Sequence, residues 1–181
     1  NRHKDIYIYK SMLTSFQKKS LIKNFPEIEL SYDNVLHKKV YANLYMIIPK
    51  GPKAFLWFIP IEDKNCAVLF LLDSRDKIKN ITVYPLCFDK ILAYGTLIYG
   101  TFFSIGSVKH FSCEDIFFYK GIDTRNYTIR EKIKTFKDMF NNNILQKLIN
   151  DNFLVPGLPM YTSNYQEAIS SCINIPYKVY G

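Results

Sequence analysis

The chain has 181 residues, a length that suits one domain, and the expectation is a single domain over 1–181. It is 48% hydrophobic and 16% aromatic, enough to bury a sizeable core, which excludes a disordered chain. The formal net charge of +8 favours a polyanionic partner such as RNA or DNA, although 20 of the 24 basic residues are lysine, which also accumulates on solvated surfaces when coding is AT-rich. The apolar runs at 54–60 and 66–72 are far shorter than the roughly 20 residues of a membrane span, so no membrane is expected. Cys66, Cys87, Cys113 and Cys172 make no C-x-x-C pair and the three histidines stand far apart, which argues against a zinc site or a disulfide scaffold. Unpaired thiols fit a reducing compartment, so an intracellular, cytoplasmic setting is expected, with no cofactor.

In chain order, Met12, Leu13, Phe16, Leu21 and Ile22 fall between lysines and predict a helix over 9–24. Val40, Ala42, Leu44, Met46 and Ile48 alternate as in a half-buried strand, and Pro49-Lys50-Gly51-Pro52 makes a turn. Strands are predicted at 54–60, 66–73, 78–85, 95–103 and 109–119. Thr128 and Glu131 form a capping box, and Ile129, Ile133, Phe136, Phe140, Ile144 and Leu148 hold helical spacing, which predicts a helix over 128–149. A loop with a short strand follows at 152–161. A further helix begins at Ser163, with the same box pattern ending in Gln166, and runs to Ile173; 175–180 reads as extended. The expected plan is α+β, an antiparallel β core with flanking helices. The chain stops at Gly181 in what reads as mid-strand, so a partner or further sequence is expected to complete it.

Four stretches stand in a telling order. They are Ile48-Pro49-Lys50-Gly51-Pro52-Lys53; Thr96-Leu97-Ile98-Tyr99-Gly100-Thr101; Phe111-Ser112-Cys113-Glu114-Asp115-Ile116 running on to Gly121 and the 128 helix; and Ile175-Pro176-Tyr177-Lys178-Val179-Tyr180-Gly181. Over about residues 40–181 this order and spacing resembles the nucleotidyltransferase fold of mRNA capping enzymes and ATP-dependent DNA ligases, without the OB domain. The resemblance implies a degenerate site. Ile48 stands where the family has its nucleophilic lysine and Lys50 where it has an aspartate. Tyr99 and Thr101 replace the acidic pair that holds ribose and metal, and Tyr180 replaces a later acid. Ile48 has no lone pair with which to attack a phosphate, so no enzymatic activity is expected.

The turn from Pro49 to Leu56 is similar in character to that of snurportin, a cap-binding protein that looks like this fold with its chemistry lost. What the resemblance implies is therefore non-catalytic binding of a guanine nucleotide or of the methylated 5′ cap of RNA, held by Glu114, Asp115, Tyr99, Trp57, Lys50, Lys53 and Thr101. Glu114 occupies the family's base-stacking position and would read the guanine edge; Asp115 matches an aspartate of the family's second strand. Tyr99 would stack on the base, as would Trp57, the only tryptophan, unless it packs in the core. Lys50 and Lys53 would hold phosphates. The alternative is a protein-interaction subunit with a relict pocket; an active guanylyltransferase or ligase is opposed by Ile48. A degenerate capping-type fold and AT-rich composition together suit a large cytoplasmic DNA virus.

Overall fold

The computed structural model describes residues 6–7, 12–30 and 42–180. The chain runs through β1 (Ile6–Tyr7), α1 (Ser15–Asn24), β2 (Tyr45–Met46), β3 (Lys53–Ile61), β4 (Lys64–Leu72), β5 (Ile78–Tyr84), β6 (Leu86–Phe88) and a short 3-10 helix (Lys90–Tyr94). It continues as β7 (Thr96–Ile105), β8 (Val108–Tyr119), β9 (Ile122–Asp123), α2 (Ile129–Asn142), β10 (Ile144–Leu145), β11 (Leu154–Gly157), β12 (Tyr161–Thr162) and α3 (Tyr165–Cys172). The protein is α+β and mostly antiparallel. The main sheet has the order β11-β8-β7-β3-β4-β5, with β9 added to β8. Among the described residues its one parallel pairing is β11 on β8. β6 is flanked by β1 and β10, and β2 pairs with β12.

β3 and β4 read as unbroken apolar runs because they are central and both faces of the sheet are covered. Alternate side chains of β3 divide between two cores. Ala54, Leu56 and Phe58 join Ile98, Phe111, Cys113 and Ile116 beneath Phe136 and Met139 of α2. Phe55, Trp57, Ile59 and Ile61 join Val68, Phe70, Leu97 and Phe117 beneath Leu13, Leu21 and Phe25. Phe25 anchors this second core, with its ring centre 5.2 Å from Phe55, 5.5 Å from Trp57 and 4.8 Å from Phe70. Each such aromatic pair adds roughly 0.5–1.5 kcal/mol beyond the area it buries.

The ends of several elements differ from the sequence expectation, each for a local reason. α1 begins only after Thr14, whose hydroxyl accepts from the Gln17 backbone in a capping box; the predicted start at 9–11 lies outside the described residues. Of its apolar set, Leu13 and Leu21 are buried, whereas Met12, Phe16 and Ile22 are exposed. The alternation over 40–48 yields only the two residues of β2, since β12 offers just Tyr161 and Thr162 as partners; 40 and 41 lie outside the described residues. α2 opens at the predicted Thr128–Glu131 box but stops at Asn142, not 149. The run Asn141-Asn142-Asn143 competes poorly for helix, and Ile144 pairs with Phe88 instead. In α3 the cap is Asn164 rather than Ser163, its side chain accepting from the Gln166 and Glu167 backbones. Among the described residues the stretch 175–180 pairs only through Pro49 and Val179, fastened by Lys50 N to Lys178 O at 2.7 Å and Tyr180 N to Ile48 O at 2.8 Å.

No helix among the described residues is long and apolar enough to cross a membrane.

Candidate functional site

A strand that alternated regularly would put Glu114 and Phe117 on opposite faces, because they are three residues apart. β8 breaks that rule. Its register against β7 shifts twice, from Leu97↔Phe118 to Ile98↔Ile116, and from Tyr99↔Asp115 to Gly100↔Cys113. Phe117 and Glu114 are the extra residues of two β-bulges. Bulges re-aim side chains, and here they turn Glu114, Asp115 and Phe117 to one side. Cys113 and Ile116 keep to the α2 core, while Phe117 and Phe118 pack with the α1 core.

These side chains line one hollow of about 650 Å³, within the usual range for small-ligand sites. Its other walls are Glu29 and Leu30 after α1, Met46 and Ile48 beside the turn, Lys53 and Tyr99 of β3 and β7, Arg125 and Tyr127 of the β9–α2 loop, and Ile129 and Lys132 of α2. Ile48, Tyr99 and Glu114, which sequence analysis matched to three separate motifs, therefore border the same space, together with Asp115 and Lys53. Among the described residues no three His, Cys, Asp or Glu side chains form a metal-holding group.

Three of the expected site residues do not line the hollow. Trp57 is 9% exposed and lies in the α1 core, since odd-numbered positions of β3 point there and Phe25 and Phe70 cover it. Thr101 is wholly buried beneath the hollow, where it supports Glu114. Lys50 is exposed on the turn, held by its backbone to Lys178, with Gly51 behind it pressed so close to the Phe102 carbonyl that a Cβ would stand 2.1 Å from that oxygen.

Glu114 is not an open acceptor. Its Oε2 receives Lys53 Nζ at 2.6 Å and its Oε1 receives Thr101 Oγ1 at 2.5 Å, while Lys53 Nζ also donates to Thr101 Oγ1 at 2.8 Å. The pair is asymmetric, with the Glu114 side chain 5% exposed and that of Lys53 29%. Lys53 also lies 5.8 Å from the centre of the Tyr99 ring. Asp115 uses one oxygen, Oδ1, for both Lys132 Nζ at 2.7 Å and the Ile116 backbone at 2.8 Å. Among the described residues no hydrogen bond reaches its Oδ2, and 37% of its side chain is exposed. Burial, with lesser contributions from the Asp76 and Glu114 charges, pushes the Tyr99 phenol up to about 12, so it stays protonated throughout the physiological range.

The structure adds residues that sequence analysis missed: Met46, Phe117, Arg125, Tyr127 and Lys132. Lys132 stands 5.9 Å from the Phe117 ring centre as well as on Asp115. The Thr128 box places Lys132 one turn into α2, which was the available signal for it. Arg125 lies over Phe118 at 5.3 Å and grips both oxygens of Asp123.

That grip carries a pH dependence. Hydrogen bonds from the Arg125 side chain, then from its backbone, hold Asp123 down at about 2, below its ordinary 3.8. A carboxyl depressed by folding contributes stability that is present above its unfolded value and lost as pH falls through its folded value. The urea midpoint is therefore expected to fall as pH drops from about 4 to about 2. Asp123→Asn is expected to flatten part of that slope, and the effect is small because the group is fully exposed.

Compared with protein-family models and with curated proteins, the chain matches neither.

Proposed function

We propose that the hollow binds a guanine nucleotide, presented as the methylated 5′ cap of an RNA, and holds it without reacting with it. The observation that carries this reading is the convergence of Ile48, Tyr99 and Glu114 on one hollow, which is what the resemblance to a nucleotidyltransferase pocket with exchanged lysine and acids implies. The wall charges support it. Lys53, Arg125 and Lys132 face Glu29, Glu114 and Asp115, so the lining is mixed rather than uniformly basic. A methylated cap has the same mixed character, a cationic flat base joined to anionic phosphates. Tyr99, Phe117 and Tyr127 offer ring surface to the base, a contact worth roughly 1–3 kcal/mol. Asp115, through Oδ2, takes over the edge-reading role expected of Glu114, accepting from the guanine N–H donors. Glu114 instead holds Lys53 in place for a phosphate. Ile48 contributes hydrocarbon where a nucleophile would stand.

The test is calorimetric titration with m7GTP, GTP and ATP. The expected order is m7GTP tighter than GTP by about tenfold, the worth of one cation–π contact at a partly desolvated site, with affinity weakening as salt rises. Trp57 emission is expected to stay unchanged, since its ring packs on Phe25 and Phe70 rather than in the hollow. Equal affinity for GTP and m7GTP, or a covalent adduct with labelled GTP, would overturn the reading. The alternative, a protein-interaction role, draws on the apolar side chains exposed on α1 and just before it, Phe16 at 81% and Met12 at 92%; absence of nucleotide binding favours it.

A further inference from the structure

We propose that α2 is the track for the RNA chain that leaves the hollow, with Arg130, Lys134 and Lys137 holding its phosphates; this rests on the cap-binding reading above. The three residues stand at i, i+4 and i+7 of one helix, so they form a single stripe. At 1.5 Å per residue the stripe extends about 10 Å along the axis. All three are exposed. The stripe begins at the residue after Ile129, which lines the hollow with Lys132, and runs along the neighbouring side of α2, about 100° around the axis from Ile129.

The charges of α2 are sorted by use. Its acids are engaged within the fold. Glu131 closes the capping box on Thr128. Asp138 accepts from Tyr119 at 2.7 Å, from Asn142 at 2.7 Å, and faces Lys120 at 3.6 Å. Lys132 is engaged by Asp115. Arg130, Lys134 and Lys137 have no carboxylate partner among the described residues. Three cations in line, beside acids that are each held by hydrogen bonds of their own, attract a chain of phosphates rather than a single anion.

The experiment is fluorescence anisotropy with a capped decaribonucleotide, its uncapped twin and m7GTP as competitor, from 50 to 200 mM salt. The proteins are wild type, the triple variant Arg130→Ala/Lys134→Ala/Lys137→Ala, and a charge-matched control, Lys18→Ala/Lys19→Ala/Lys23→Ala on α1. Alanine is a strong helix former, so both helices persist, which circular dichroism checks. Each phosphate contact contributes about 0.7 to the log–log salt slope of a single strand, so the α2 variant is expected to lose about 2 from that slope. Its advantage for capped RNA at 50 mM over 200 mM salt then shrinks about 16-fold relative to wild type. Its m7GTP affinity stays unchanged, and the α1 control keeps the wild-type slope. Equal losses in the two variants, or none in the α2 variant while m7GTP still binds, would overturn the track and leave cap binding standing. No m7GTP binding, with uncapped RNA still lost selectively by the α2 variant, would overturn cap binding and leave the track standing.

Discussion

Alanine at position 100 is expected to cost the fold about 3 kcal/mol or more, the upper end of what forced overpacking costs. A Cβ on Gly100 would stand 1.7 Å from the Ser112 carbonyl oxygen and 2.9 Å from its carbon. Both are backbone atoms of β8, which cannot swing aside as a long side chain can. β7 and β8 meet here because glycine allows the approach, and the bulge at Glu114 follows two residues after Ser112. Relieving the clash must push β8 away, and with it Glu114 and Asp115. Gly106→Ala is the contrast. Gly106 has φ +60, and a methyl group there would meet nothing within 4 Å, so only the left-handed backbone opposes the change, at about 1 kcal/mol. Urea unfolding of the two variants measures the difference. A Gly100→Ala midpoint equal to that of Gly106→Ala would show that β8 yields freely.

The second large effect is an asymmetry within the ion pair. Lys53→Met is expected to destabilise by about 3 kcal/mol, because it strands the carboxylate of Glu114 in the interior. Glu114→Gln is expected to cost only about 1 kcal/mol: the amide keeps the shape and a bond to Thr101, while Lys53 can turn its ammonium to water. The exposures decide the sign, 5% for the Glu114 side chain against 29% for Lys53. The double variant should then be more stable than the sum of the single losses implies, since removing the acid's charge removes the reason Lys53 is needed. Chemical unfolding of the three proteins measures the cycle. Equal losses from the two single changes would mean that Glu114 is better solvated than its burial indicates.

Much of the scaffold was legible in the sequence where one physical cause dominated. β3, β4, β5, β7 and β8 were readable because apolar and β-branched residues recur between turn residues. The start of α2 was readable because a capping box is a local device. What failed depended on partners. The 40–48 alternation was real, but strand length is set by the strand alongside, and β12 supplies two residues. The spacing through Ile144 and Leu148 was helical, yet three asparagines and the pull of Phe88 ended α2 first. At the site, Ile48, Lys53, Tyr99, Glu114 and Asp115 were legible by their order along the chain. The bulges that turn Glu114 and Phe117 to one side were not, because a bulge is a property of two paired strands. Nor were the partners of Glu114 and Asp115, which come from β3 and from the docking of α2. Trp57 illustrates the limit: its residue type fits a base platform as well as a core, and only the face assigned by β3 decides.

The most direct measurement is amide chemical-shift mapping of the isotope-labelled protein during titration with m7GTP. Saturable shifts are expected at 46–48, 114–117 and 125–132, with 16–24 of α1 unmoved. Absence of saturable shifts, or shifts centred on α1, would contradict a nucleotide pocket bordered by Ile48, Tyr99 and Glu114.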